Sequence, residues 1–507
     1  MGNWFTHRTE LNGGILENSS PLEQGINRPG SLTTGLNVEP SQDGGYSTVL
    51  GHEKFNTTQS PAGAVEIQEV AEYKGSILAF AANKLYQVIP GATPWAVAFT
   101  DAALTGILDV DHTTNTFGIT PQKIFVTGVK SFHWSDTGSG LLDPIVDKAT
   151  SVVTFHNRTW FAVGPEVFAT GFNLIGTASG DFLSAFRMLD DILDMAVWRD
   201  ALYVFGKNFI TKITGFDDTD IKIEQVSTRL GVVARHTIQE VAGDLLFLAP
   251  DGIRTIAGTD KIGDTALDNL SVNVSKRVNA LRLEGPNLNL RSVSLSEKGQ
   301  YRVYASATNE PTQTTIGILA GLRASQSGQL AWEFSDLKGM KPRSMSSANF
   351  GTEERMFFGT YDGFIQVQKN TSHSFDSTDI VWEIEMPYWV LTIDDPELRK
   401  VLFKFKLYAD TPADTNGILS YRLNYLGDQT ISPLSQQIAG VGLIQLYDSG
   451  VLWNEAGFIY SSSEGSVSLH NVMGSCQNVS FRISGSGQTS PHTFKSITLQ
   501  FSVEGKI

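Results

Sequence analysis

The stretch Met195-Ala196-Val197-Trp198-Arg199-Asp200-Ala201-Leu202-Tyr203-Val204-Phe205, continuing through Ile210 to Gly215, decides how this chain is read. Two apolar runs flank a polar turn at Asp200, and a third run closes on a glycine. The unit returns as Val70 to Gly75 with Ile77-Leu78-Ala79-Phe80 and Leu85 to Ile89. It returns again as Gln239 to Asp244 with Leu245 to Leu248, Asp251-Gly252 and Ile253 to Gly258. Turns near Gly75, Thr116, Asn157, Asp200, Gly243, Gly299 and Glu354 recur at a spacing of roughly 40 to 55 residues, the period of propeller blades. Period-2 runs joined by polar turns make antiparallel strands, and radial closure removes the edges that small separate sheets would expose. The expected fold is all-β, with a β-propeller of six or seven blades.

On either side of the repeats the pattern changes. In residues 1–60, Gly13-Gly14, Pro21, Pro29-Gly30, Pro40 and Gly44-Gly45 interrupt every candidate element, which predicts an extended N-terminal arm that the last domain or a neighbouring subunit must order. The propeller occupies 61–375. Within it Val274, Val278 and Leu281 stand at helical spacing and predict one short helix. Residues 376–507 carry longer alternating runs, such as Val381 to Met386, Lys400 to Tyr408 and Ser496 to Val503, and predict a β-sandwich-like platform domain. In the second of these runs Lys404 and Lys406 are expected on the solvent face, with Phe403 and Phe405 in the core.

The 507 residues include 48 Gly and 29 Phe but only 18% charged residues, which is enough apolar material for large cores. A single cysteine, Cys476, excludes an intramolecular disulfide. No run of 18 apolar residues occurs, so no membrane span is expected. The formal charge of −15, with no basic cluster, argues against static nucleic-acid binding, which needs Lys and Arg to displace counterions.

Reactive constellations are not apparent. His133-Trp134-Ser135-Asp136-Thr137-Gly138 lacks the spacer of a sialidase-type Asp box, and Gly258 to Thr265 has Asp264 where a phosphate-binding loop needs lysine. No nucleophile elbow occurs. The nine His are scattered. Asp109-Val110-Asp111 with His112, and Asp217-Asp218-Thr219-Asp220, could offer oxygens to Ca²⁺ but read as polar loop tips. The expectation is no enzyme, no cofactor and no metal.

The arm carries Asn27-Arg28-Pro29-Gly30-Ser31, Leu36-Asn37-Val38-Glu39-Pro40, Gly44-Gly45-Tyr46 and Leu50-Gly51-His52-Glu53-Lys54-Phe55. Together with Arg229-Leu230-Gly231, Gly243 to Leu248, Asp251-Gly252-Ile253 and Gly359-Thr360-Tyr361-Asp362-Gly363, this order resembles the tail nozzle, or packaged-DNA stabilisation, proteins of short-tailed bacteriophages. The resemblance implies a structural virion protein in the tail, assembled in the host cytoplasm. It implies a ring, usually a homohexamer, that meets adaptor and fibre or spike proteins and passes double-stranded DNA without binding it specifically. The acidic balance of the chain then nominates Asp217, Asp218, Asp220, Asp190 and Asp191 as residues lining the ring's channel, where basic residues would retard DNA. The alternative is a carbohydrate- or receptor-binding tail component, with Trp95, Trp134 and Trp453 as stacking platforms.

Overall fold

The computed structural model describes residues 4–117, 120–216, 219–262, 269–284, 288–307, 316–324, 330–391, 397–410, 416–424, 436–439 and 466–504. The repeats fold as antiparallel blades, and their turn residues explain how. The first two strands of four blades are joined by two-residue turns in which both central residues take positive φ: Lys74-Gly75, His156-Asn157, Arg199-Asp200 and Ala242-Gly243. That is the type I′ geometry whose twist matches the flanking strands, and Gly, Asn and Asp tolerate it best.

Six small sheets stand as separate blades: 67–100, 111–141, 151–187, 192–227, 238–255 and 344–368. Between the fifth and sixth, the antiparallel strands Leu288–Leu295, Gln300–Ala307, Ile316–Ala324 and Leu330–Lys338 fill a seventh wedge. Their sheet does not end there. The arm strand Thr34–Leu36 pairs in parallel with Leu330–Lys338 and antiparallel with Ile380–Glu385, and the ladder runs on through Val479–Gly487 and Asn416–Leu423 to Gln436–Ala439. Nine strands thus run from the propeller into the platform.

Each wedge is buried on both faces, because alternate residues of one strand serve two neighbouring cores. In the first blade Ala71, Tyr73, Leu78 and Phe80 pack on Phe125, Phe132 and Trp134 of the second, while Val70, Ile77 and Ala79 pack on Phe357, Ile365 and Val367 of the sixth. The ring closes when arm residues Glu53–Lys54 pair with Ile365–Gln368, so the last blade takes its outer strand from the opposite end of the chain.

The platform is a sandwich whose first layer is the nine-stranded sheet. Its second layer consists of Val38–Pro40, Tyr46–Thr48, Thr493–Val503, Lys400–Asp410 and Ser466–Cys476, with Trp4–Glu10 beside Thr493–Val503. Trp382, Trp389, Phe405, Phe481, Phe494 and Leu499 fill the space between the layers. The lysine-rich strand departs from simple alternation. A bulge between Leu402 and Lys404 leaves Phe403 as the extra residue, so it lies outside the core against Trp4 at 3.9 Å, while Phe405 is buried.

The arm is threaded through both parts. It also contains a helix, Pro21–Asn27, that the turn-rich composition does not suggest. Ser20 caps the helix by accepting from the Glu23 amide, and Pro21 occupies the first turn, where its missing N–H costs nothing. A Cβ on Gly25 would stand 1.7 Å from the Tyr388 carbonyl oxygen, so glycine there permits the close docking. Elsewhere two helices, Ile256–Ile262 and Ser275–Glu284, replace the single one expected, with Val274, Val278 and Leu281 buried as the spacing implies.

Candidate functional site

The propeller axis gathers a cluster of ionisable side chains from different blades. All seven innermost strands contribute to a central cavity of about 320 Å³ that includes Glu69, Asp111, His112, Asp194, His236 and Ser292. The carboxylates bind from blade to blade. Glu69 of the first blade meets the His112 Nδ1 of the second at 3.1 Å, and Asp111 of the second accepts from the Val152 amide of the third at 3.0 Å. Asp194 of the fourth accepts from the His236 amide next to the fifth at 2.9 Å and from Ser151 Oγ at 2.9 Å. Burial, and then the neighbouring Asp194 charge, pushes the Asp111 carboxyl above its ordinary range.

At the end where the chain enters the inner strands, Asp109 forms a hub. Its carboxylate receives Arg291 Nη2 at 2.5 Å, His236 Nε2 at 3.1 Å and Arg235 Nη1 at 3.3 Å. Arg343 lies beside it, pairing with Glu66 at 2.9 Å and donating to the Leu108 carbonyl at 2.6 Å. Burial alone would raise the Asp109 carboxyl, but Arg291, His236 and Arg235 outweigh it and hold the group well below the usual carboxylate range. Asp109 and Asp111 are therefore inward braces between blades rather than exposed loop tips.

This arrangement supplies inter-blade cohesion. The carboxylates accept from fixed partners, and among the described residues no group of three or more His, Cys, Asp or Glu is gathered as a metal site. The lone thiol, Cys476, lies buried in the platform, where burial pushes it up to about 12.

The nominated acidic residues that the structure describes do not line this cavity. Asp190 and Asp191 are exposed in the segment leading into Ile192–Trp198. Asp220 is exposed in the turn before the outermost strand Lys222–Ser227 and accepts from the Phe216 amide at 2.9 Å. In a four-stranded antiparallel blade those two positions are at opposite ends, so the structure does not bring them together. Asp217 and Asp218 lie outside the described residues. Of the aromatic platforms, Trp95 and Trp134 are only 7% and 6% exposed and belong to blade cores, while Trp453 lies outside the described residues. The axial set had a sequence signal at one position: Asp194 interrupts the otherwise apolar inner strand Ile192–Trp198, where an unpaired carboxylate would be costly.

No family model matches this chain, and no curated protein matches it. Solved structures with a similar fold include an ancestral GH74 enzyme, at 10% identity and a TM-score of 0.42, covering 68% of this chain and 51% of that one. PorZ, an essential bacterial surface component of the type-IX secretion system of Porphyromonas gingivalis, is similar at 10% identity and a TM-score of 0.36, covering 63% of this chain and 39% of that one. The CNH domain of AfRom2 is similar at 8% identity and a TM-score of 0.36, covering 64% of this chain and 98% of that one. This chain thus spans about half of the GH74 enzyme and two fifths of PorZ, and these likenesses assign it no activity.

Proposed function

We propose that this chain is a structural virion subunit: the nozzle ring at the distal part of a short phage tail, built of six copies, whose channel retains genomic DNA and then releases it. In this reading it assembles in the host cytoplasm, contacts adaptor and fibre or spike proteins, and catalyses nothing. The observation that carries it is the nine-stranded sheet. Propeller wedge and platform share one hydrogen-bonded ladder with an arm strand in its middle, so the subunit is a stiff block without a hinge. A block whose faces keep a fixed angle can repeat around a closed ring, and it can bear load from packaged DNA. The tethered carboxylates of the propeller axis fit a structural part better than a catalytic one. The order of arm motifs and the charge of −15, which disfavours adhesion of DNA to a conduit wall, add support.

Electron microscopy of the purified full chain tests this. The expected particle is a closed ring with an axial opening of about 20 Å or more, since duplex DNA is wider than its ~12 Å major groove. Monomers retained on immobilised glycans would overturn the reading in favour of a receptor-binding component.

A further inference from the structure

An open cavity of about 490 Å³ lies on the outer face of the platform's second layer, lined by Trp4, Leu402, Phe403, Lys404, Asn471 and Gln500. Its two aromatic residues reach it by different routes. Trp4 begins the arm strand beside Thr493–Val503 and is 61% exposed, a large apolar surface to leave in water. Phe403 is turned out of the core by the bulge between Leu402 and Lys404, a device that re-aims one side chain at the expense of a ladder position. Ser502, opposite Trp4 on the intervening strand, is small enough to let the rings meet. Their centroids are 3.9 Å apart with the planes at 50°, so they form a bent apolar wall with no slot between them.

The polar part of the lining is equally specific. Lys404 is its one ionisable residue, and it is exposed and forms no ion pair among the described residues. Opposite Lys404 on the two neighbouring strands stand Gln500 and Asn471, neutral amides that can both donate and accept. Arg8 does not add to the charge here, because its guanidinium lies over the Tyr408 ring at 5.5 Å. A ligand of this cavity therefore combines an apolar face, hydrogen-bonding groups at its edge and one anionic group.

We propose that the cavity binds an acidic saccharide: a sugar ring packs its C–H face on Trp4 and Phe403, its hydroxyls bond to Asn471 and Gln500, and its carboxylate meets Lys404. The volume lies within the ~300–1,000 Å³ of small-molecule sites. A single-stranded nucleic acid also offers flat rings and anions, but it needs a cationic track along its backbone. This cavity supplies one ammonium on a chain of formal charge −15. The site is complete within one subunit, so the inference stands apart from the ring reading.

An array of immobilised oligosaccharides that contain uronic or sialic acid, beside neutral counterparts and oligo-dT, tests it with the full chain. The wild type is expected to be retained on the acidic saccharides, and Trp4→Ala and Lys404→Gln each to weaken the titrated affinity by about tenfold or more. Lys406→Gln, on the same strand but outside the lining, should bind as the wild type does. Lys404 is exposed, so Lys404→Gln should also melt with the wild type, and it keeps the test decisive if Trp4→Ala loosens the arm. A wild type that ignores the acidic saccharides, prefers the neutral ones or binds only oligo-dT would overturn the proposal, as would retention unchanged by Lys404→Gln. Light-scattering mass of the same samples separates the two readings. Rings that bind no acidic saccharide overturn this site alone, and monomers that bind through Trp4 and Lys404 overturn the ring alone.

Discussion

The propeller axis and the seam between propeller and platform both join segments far apart in sequence, and they do it with opposite chemistry. At the axis, seven strands converge on one line, so each contributes few atoms and large apolar side chains from all of them would collide. The space is bridged by carboxylate, imidazole and guanidinium groups, each reaching to a neighbouring blade. At the seam two broad sheets lie face to face and interdigitate, and Leu11, Leu32 and Tyr46 of the arm are buried with Trp382, Trp389 and Phe481. Ion pairs lie at this seam as well, beside its apolar core: Arg323 meets Glu333 at 2.8 Å and Arg277 meets Asp336 at 3.0 Å. Glu39 meets Arg302 at 2.7 Å, and although burial pushes the carboxyl up, Lys298 and Arg302 keep it below its usual range. Cohesion is therefore concentrated in a few groups at the axis and distributed over many at the seam.

Removing the arm is expected to have the largest effect. Deleting residues 1–55 takes the central strand Thr34–Leu36 from the nine-stranded sheet, Glu53–Lys54 from the last blade, and Leu11, Ile15, Leu32, Val38, Tyr46 and Val49 from the cores. The losses exceed the ~5–15 kcal/mol that holds a typical domain folded. The truncated chain should be insoluble or lack a cooperative urea transition. A truncated protein that unfolds cooperatively at the wild-type midpoint would show the seam to be self-sufficient without the arm.

The axis should fail through a single residue. Asp109→Ala leaves Arg291, Arg235 and the neighbouring Arg343 without their shared carboxylate, and removing one partner of a largely buried ionic cluster costs about 3 kcal/mol. Leu108→Ala next to it, at an exposed side chain, should stay within about 0.5 kcal/mol. Urea unfolding of the two variants makes the comparison, and equal midpoints would show that Asp109 is not a hub.

These two regions also mark what could be read from the chain. The blades were legible because strand alternation and the Gly, Asn and Asp of type I′ turns are local signals, as at Asn157, Asp200 and Gly243. The helix through Val278 and Leu281 was legible for the same reason. Which strands the arm pairs with was not, because a strand of three residues has no periodicity and its partners, near Asp336 and Ile384, lie roughly 300 residues or more away. Asp109 resembles a loop tip until Arg235, Arg291 and Arg343 converge on it through closure of the ring. Phe403 misled because a bulge shifts register by one residue without changing composition.

Acid should separate the arm's latch from the axis by pH window, with the smallest effect of the three. His52 immediately precedes the closing strand Glu53–Lys54. Its Nδ1 faces Gln366 Oε1 at 3.2 Å, its ring stacks on Phe375 at 5.2 Å and meets Phe358 edge-on at 4.9 Å. The charged groups nearby are Asp376 and Lys54, paired with each other at 3.4 Å. Burial pushes the imidazole down to about 4, against the opposing pull of Gln366 and Asp376. An unfolded histidine titrates near ~6.5, so between there and about 4 the unfolded chain holds a proton that the folded chain refuses. Stability is then fully present above ~6.5 and is lost as pH falls, by about 2 kcal/mol at pH ~5. His492, whose backbone N–H donates to Thr48 Oγ1 of the arm and whose ring is likewise pushed down to about 4, adds a similar loss. Asp109 and Glu39, both held low, give up their contribution only as pH drops below the ordinary carboxylate range, while the raised Asp111 acts in the opposite direction. Urea midpoints at closely spaced pH values should therefore fall first between ~6.5 and ~5; His7, His133 and His470, also pushed down by burial, add to that fall, so His52→Gln should remove only part of the slope while leaving the loss at lower pH in place. Identical slopes in the two proteins would mean that the histidine beside the closing strand stays solvated, and that the last blade is held by its neighbours rather than by the latch.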